Sequence, residues 1–353
     1  MTPLGALLRD EIARDGPMRL DAFMAACLTH PEHGYYTTRD PLGAAGDFTT
    51  APEISQMFGE LIGLALAQAW IDQGSPAPFV LAELGPGRGT LMADALRATR
   101  GVPGFHAAMR LWLVETSPVL AARQSEALAA HAPQVAARDE DLPEGPLFVI
   151  ANEFFDALPI RQFERTGDIW RERVVALRDG RLALVPGGPA EPPAPSGPPL
   201  PDGAVRETCA PARAIMARLG ARIARHGGAA LIVDYGAGDG HGDTLQAVRG
   251  HRPADPFDAP GTADLTAHVD FSALARAAAP ADALRLETQG VFLERLGITA
   301  RAQALAQAAA TPEAAEAVIS AHRRLTHPSE MGSLFKVLGI VPAGASPLAG
   351  LER

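Results

Sequence analysis

The 353-residue chain holds two cysteines, one lysine and no long apolar run. Cys27 and Cys209 stand far apart with no ligand spacing around them, so neither a disulfide framework nor a zinc site is indicated, and no metal is expected. No stretch reaches the length of a membrane-spanning helix, and the start lacks a signal-peptide layout. The opening "MTPLGALLRDEIARDG" places apolar residues at helical spacing, and its Asp10 and Glu11 speak against an import presequence, so a cytoplasmic protein is expected. Positive charge is scarce too: 31 Lys and Arg face 41 Asp and Glu, a formal net charge of −10. That balance disfavours nucleic acid and anionic lipid, so neither nucleic-acid binding nor membrane insertion is expected. Lys336 is the single lysine; with abundant alanine, the arginine preference reads as codon bias without functional weight.

What is present is a strong alternation of strands and helices. In "TTAPEISQMFGELIGLALAQAW", Thr50 and Glu53 have capping-box spacing and Pro52 suits a first turn, so a helix is expected from Thr50 onward. The short apolar runs "FVLAEL", "LWLVE", "LFVIAN" and "AALIVDYG" alternate with helix-like stretches. The pattern predicts an α/β fold with a mostly parallel, doubly wound sheet of Rossmann-like type. Asp179-Gly180 predicts a hairpin turn within "IWRERVVALRDGRLALV", and the following tract 186–203 is rich in proline and glycine. The expected organisation is an N-terminal helical segment, 1–75, packing on a domain, 76–353, with an insertion at about 160–228.

The stretch "LAELGPGRGTL" puts Gly85, Gly87 and Gly89 directly behind an apolar run. A strand, a glycine turn and a helix form a nucleotide-binding element, where backbone approaches the ligand and the helix start offers N–H donors. The spacing G-x-G-x-G departs from the dinucleotide fingerprint, and Glu83 would sit badly beside a pyrophosphate. An acid there suits a cationic amino group or a ribose. S-adenosylmethionine carries both and no phosphate; a plain structural turn is the alternative.

Further acids follow at strand ends. Glu115 can take both ribose hydroxyls, as the acidic residue does in dinucleotide folds, or it caps the helix at Ser117-Pro118. Asp139, with Glu140 and Asp141, falls where an adenine edge would lie, or forms a solvated turn. Asn152, Glu153 and Asp156 follow the fourth strand, at the edge where open α/β sheets place ligands.

These residues resemble the MidA family, mitochondrial-dysfunction protein A and its bacterial relatives. The matching stretches are "GYYTTRDPLGAAGDFTTAPEISQMFGELIG", "ELGPGRGTLMADALR", "ANEFFDALPIRQF", "VDYG", "GDTLQAV", "DLTAHVDF" and "MGSLFKVL", from about Tyr35 to Leu338. The resemblance implies a class I S-adenosylmethionine-dependent methyltransferase, its mitochondrial member being a protein arginine methyltransferase needed for respiratory complex I assembly. It implies Glu83, Gly85, Gly87 and Gly89 as the cofactor loop, Glu115 as the ribose contact, and Asn152 with Glu153 at the methyl-transfer cleft. Asp47, Phe48, Thr49 and Thr50 would be cofactor or substrate neighbours in a cleft-covering segment.

Methyl transfer mainly needs alignment and exclusion of water. A guanidinium acceptor must also be oriented and lose a proton, work suited to paired carboxylates. Glu153 and Asp156 are the candidates, with His268 of "AHVDF" as a proton acceptor or a structural histidine. The expected partner is a protein, a complex I subunit or its bacterial equivalent, and a homodimer is compatible with the sequence. The competing reading is a cofactor-binding assembly chaperone without turnover; an NAD-dependent oxidoreductase is disfavoured by the glycine spacing.

Overall fold

The computed structural model describes residues 2–38, 49–191, 200–238 and 240–353. Contacts divide the chain into two compact units. The larger comprises Thr49–Phe154, Ile215–Gly236 and Leu274–Arg353; the smaller comprises Met1–Phe48, Phe155–Ala214 and Ala237–Ala273. This differs from the expected division at residue 75. The helix beginning at Gln56 packs on the helix that follows the glycine turn, and so belongs with the sheet. The insertion also takes in 237–273 and joins the N-terminal helices.

The larger unit is built on one mixed sheet. Its strands are β1 (Phe79–Leu84), β2 (Met109–Val114), β3 (Gln134–Ala136), β4 (Leu147–Asn152), β5 (Gly228–Ala237), β6 (Asp282–Ala283), β7 (Glu287–Thr288) and β8 (Phe335–Val341). Their order is β6-β8-β5-β4-β1-β2-β3, with β7 also pairing β8. From β5 to β3 every pairing is parallel, whereas β8 runs antiparallel to β5. The fold is therefore α/β with a mostly parallel sheet. The chain order reverses between β1 and β4, the switch point at which such sheets open a crevice beyond their carboxyl ends.

One face of this sheet is continuous. Phe79 and Leu81 of β1, Leu111 and Leu113 of β2, Phe148 and Ile150 of β4, and Leu231 and Val233 of β5 share one core cluster. The register Leu81↔Phe148 and Glu83↔Ile150 puts Glu83 and Asn152 on that same face, beyond the last apolar residues. Lys336 lies on β8 opposite Asp234, its ammonium donating to the carbonyl of Ser333.

The helix expected from Thr50 is two helices, α1 (Ala51–Ile54) and α2 (Gln56–Asp72). Ser55 between them is extended, at φ −162° and ψ 139°, and its Oγ caps α2 by accepting from the Met57 N–H at 3.2 Å. Thr50 caps α1 through its carbonyl alone. The capping box does not form: the Thr50 hydroxyl makes no cap bond, and Glu53 Oε1 accepts instead from Thr90 Oγ at 2.6 Å. Thr90 opens α3 (Thr90–Ala98), the helix after the glycine turn.

In the smaller unit, the helices Pro3–Asp15 and Leu20–Thr29 pack Leu4, Leu8, Phe23 and Met24 with Ile160, Val175 and Leu265. An antiparallel sheet contains the predicted hairpin: Arg178 pairs with Arg181 across Asp179 (φ 50°) and Gly180 (φ 74°). Two consecutive left-handed residues are what a tight hairpin turn of matching twist requires.

Candidate active site

The six residues of β1 are all buried, Glu83 included at 3% exposure. Glu83 Oε2 has no hydrogen-bond partner among the described residues. A buried carboxylate without a countercharge prefers its neutral form, and burial pushes the Glu83 carboxyl up to about 8. A cationic ligand placed beside it would favour the ionised form.

The turn behind Glu83 uses its glycines as backbone. Gly85, Gly87 and Gly89 have φ of 61°, 56° and 81°, values that side chains with a Cβ rarely adopt. A Cβ on Gly85 would also lie 2.8 Å from the Phe154 ring. Gly89 is the residue before α3, so the turn delivers the chain straight into a helix N-terminus. Glu53 reaches this element twice, through Thr90 and through Arg88, whose Nη1 lies 3.9 Å from Glu53 Oε2.

Glu115 follows β2 directly. Its Oε1 accepts from the Ser117 N–H at 2.8 Å and its Oε2 from Gln124 Nε2 at 2.9 Å. Burial raises its pKa, and those two donors partly offset the rise. Ser117, not Glu115, caps α4 (Pro118–Ala127), accepting from Leu120 N–H at 3.4 Å. The carboxylate is thereby held at the carboxyl edge of β2.

Asn152 ends β4, and Glu153 turns the chain with φ 49°, a left-handed value uncommon outside glycine. Glu153 Oε1 accepts from the Ala51 N–H at 2.9 Å and from Asn152 Nδ2 at 3.1 Å. Asn152 is buried and its Oδ1 has no hydrogen-bond partner among the described residues. Phe154 N–H donates to the buried Asp234 at 3.2 Å. A non-glycine left-handed residue at a strand end, fixed on both sides, is the kind of local strain that clusters at functional positions.

Glu83 and Asn152 thus present two buried, unsatisfied acceptor oxygens on one sheet face at the switch point. Two such oxygens suit a ligand with several N–H donors, and the glycine turn leaves the backbone open to approach. This acceptor set fits the ammonium and ribose hydroxyls of S-adenosylmethionine.

The remaining sequence candidates divide. Asp139 is engaged by Arg218, with contacts of 2.7 and 2.8 Å to its two oxygens, and Glu140 lies 3.3 Å from the same guanidinium. The acidic turn is therefore ion-paired rather than merely solvated, and the Asp139 carboxylate already has a structural partner. Thr49 is partly buried, while Asp47 and Phe48 lie outside the described residues. Asp156 and His268 fall in the smaller unit, joined by the Ala267 N–H donating to the Asp156 carbonyl at 3.0 Å. Asp156 is buried, whereas His268 is exposed, its N–H donating to Thr244 Oγ at 2.8 Å. In that unit Tyr36 donates to Asp264 at 2.7 Å, and burial with the charges of Asp264 and Asp156 raises its hydroxyl pKa well above the usual value. Sequence reasoning missed Gln124 and Glu53; the spacing of Glu53 before the glycine turn carried only a capping signal.

Residues 61–290 match the family described as "Putative S-adenosyl-L-methionine-dependent methyltransferase". The chain belongs to this family of S-adenosylmethionine-dependent methyltransferases. Among its relatives, it is 38% identical over 363 residues to "Protein arginine methyltransferase NDUFAF7, mitochondrial" of Danio rerio, covering 95% of this chain and 86% of that protein. It is 37% identical over 376 residues to the NDUFAF7 homolog of Drosophila melanogaster, covering 96% and 85%. A solved structure from Burkholderia thailandensis, bound to S-adenosyl-homocysteine, superposes with a TM-score of 0.83 at 31% identity, covering 98% of this chain and 94% of that one.

Proposed function

We propose that this chain transfers a methyl group from S-adenosylmethionine to an arginine guanidino nitrogen of a protein substrate, a subunit of respiratory complex I or its bacterial equivalent. The observation that carries this reading is the set at the switch point: the glycine turn, Glu83, Glu115, and the Asn152-Glu153 corner. The arginine acceptor is supported by the relatives' names, since the chain aligns with them almost end to end. The order β5-β4-β1-β2-β3 supports reading the sheet as doubly wound.

When bound, S-adenosylmethionine supplies an electrophilic methyl on a sulfonium. Glu83 and Asn152 would hold the ammonium, and Glu115 the ribose hydroxyls. The glycine turn would leave room for the amino-acid portion beside the backbone. Glu153, its position fixed by Ala51 and Asn152, orients a guanidinium nitrogen. An anionic acceptor there also favours loss of the proton that the nitrogen must shed on methylation.

The test is Glu153→Gln, assayed by label transfer from S-adenosylmethionine into purified complex I subunits beside the wild type. The amide is nearly isosteric, so the fold and cofactor affinity should persist while the rate falls by about one to two orders of magnitude. Equal rates would remove Glu153 from the chemistry. If the wild type binds a subunit tightly without transferring label, the assembly-chaperone reading replaces this one.

A further inference from the structure

Gln124 lies on α4, completely buried, and no sequence signal marks it. Its Nε2 donates to the carbonyl of Gly87 at 2.7 Å and to Glu115 Oε2 at 2.9 Å. An amide nitrogen has two hydrogens, so both donors are used. Both facing atoms are acceptors, which fixes the amide with nitrogen toward them and oxygen away. The oxygen has no hydrogen-bond partner among the described residues. The Gln124 Cα also lies 3.7 Å from where a Cβ on Gly89 would stand, so α4 rests on the turn itself. One side chain thus spans the middle of the glycine turn and the carboxylate at the end of the neighbouring strand.

We infer that Gln124 is a positioning residue that sets the distance between the glycine turn and the Glu115 carboxylate, and thereby the enzyme's selectivity for a ligand bearing an intact ribose. The inference rests on the proposed role of Glu115 toward the ribose. The turn has left-handed residues at 85, 87 and 89, and its middle carbonyl accepts from the Gln124 amide. Without the amide, the Gly87 carbonyl and Glu115 each lose a donor in a partly buried place, and each can relax away from the other. A ligand held at the turn by its amino-acid portion and at Glu115 by its ribose hydroxyls loses more than one held at the turn alone.

The experiment compares wild type, Gln124→Met and Glu115→Gln by calorimetry with two ligands, S-adenosylhomocysteine and its 2′-deoxyribose analogue. Methionine keeps length and packing but offers no donor. Gln124→Met should weaken S-adenosylhomocysteine about tenfold and the deoxy analogue about twofold, shrinking the ribose preference. Such a change in selectivity is not moved by general loosening of the fold, which would weaken both ligands alike. Equal weakening of both ligands, or no weakening of either, overturns the inference. If Gln124→Met fails to fold by circular dichroism, Gln124→Glu, which keeps shape but faces two acceptors with a third, must show the same selective loss. Should Glu115→Gln keep the full ribose preference, the ribose role of Glu115 falls and this inference with it. Should Glu115→Gln lose the preference while Gln124→Met keeps it, only the role of Gln124 is overturned.

Discussion

Two buried glutamates of the larger unit are treated in opposite ways. Glu60, on α2, is bound by Arg301 through contacts of 2.8 and 3.0 Å and by Arg97 at 2.9 Å. Its pKa is lowered, those guanidinium bonds outweighing burial. Glu83, at the end of β1, is more deeply buried, has no such partner on Oε2, and is pushed up to about 8 by burial. The first ties α2 to α3 and to the helix Ile298–Gln307, a purely internal task, and is neutralised from within. The second faces the switch point, and its countercharge is left to the ligand. A buried acid without a partner is thus informative where a buried acid with two arginines is not.

The largest expected effect comes from filling the space beside Glu83. Gly85→Val should abolish S-adenosylhomocysteine binding, a loss of more than a hundredfold, because a β-branched residue cannot hold φ near 61° and would press on the Phe154 ring. Circular dichroism must show a folded protein; a folded variant with unchanged affinity would reduce the turn to mere structure.

Next come the two glutamates themselves, and the signs differ. Glu83 has a raised pKa, so its contribution to stability is full below about 4.5 and is lost as pH rises through about 8. Glu83→Gln should therefore stabilise the ligand-free protein at pH 9, by on the order of 3 kcal/mol, while weakening cofactor binding at least tenfold. Thermal melts at pH 5 and 9 measure the first effect, and a variant that melts lower than wild type at pH 9 would contradict it. Glu60 has a lowered pKa, so its contribution is full above about 4.5 and is lost in acid. Glu60→Gln should cost about 2 kcal/mol at pH 7 and less at pH 3, with cofactor affinity unchanged; the arginines are partly exposed, which limits the loss. Denaturant titration at both pH values reads it, and an unchanged midpoint at pH 7 would erase the contrast.

The smallest effect concerns the corner after β4. Asn152→Ser should lower S-adenosylhomocysteine affinity roughly threefold to tenfold if Oδ1 receives a ligand N–H. Unchanged calorimetric affinity would assign Asn152 only to holding Glu153.

The local parts of this site were legible in the sequence. Glu83, the glycines, Glu115 and the Asn152-Glu153 pair each sit at the end of an apolar run, and strand, turn and helix are contiguous. What was hidden depends on distant packing. Gln124 acts because α4 folds back on the turn, and Arg218 reaches Asp139 from a helix some eighty residues on. Ser55 shows a subtler limit: the hydrophobic period runs through it unbroken, yet its backbone is extended and its hydroxyl caps a new helix. Likewise, no local signal assigns 237–273 to the same unit as the N-terminal helices.

The solitary lysine gives the molecule a chemical handle. Burial lowers the pKa of Lys336, so more of it is the free amine at a given pH than for an ordinary surface lysine. An amine-directed dye or cross-linker has a single side-chain address in the whole chain, on β8 across from Asp234, the acceptor of the Phe154 N–H. A reporter installed there sits two strands from the corner that carries Glu153, with β5 between, and no cysteine has to be introduced or removed.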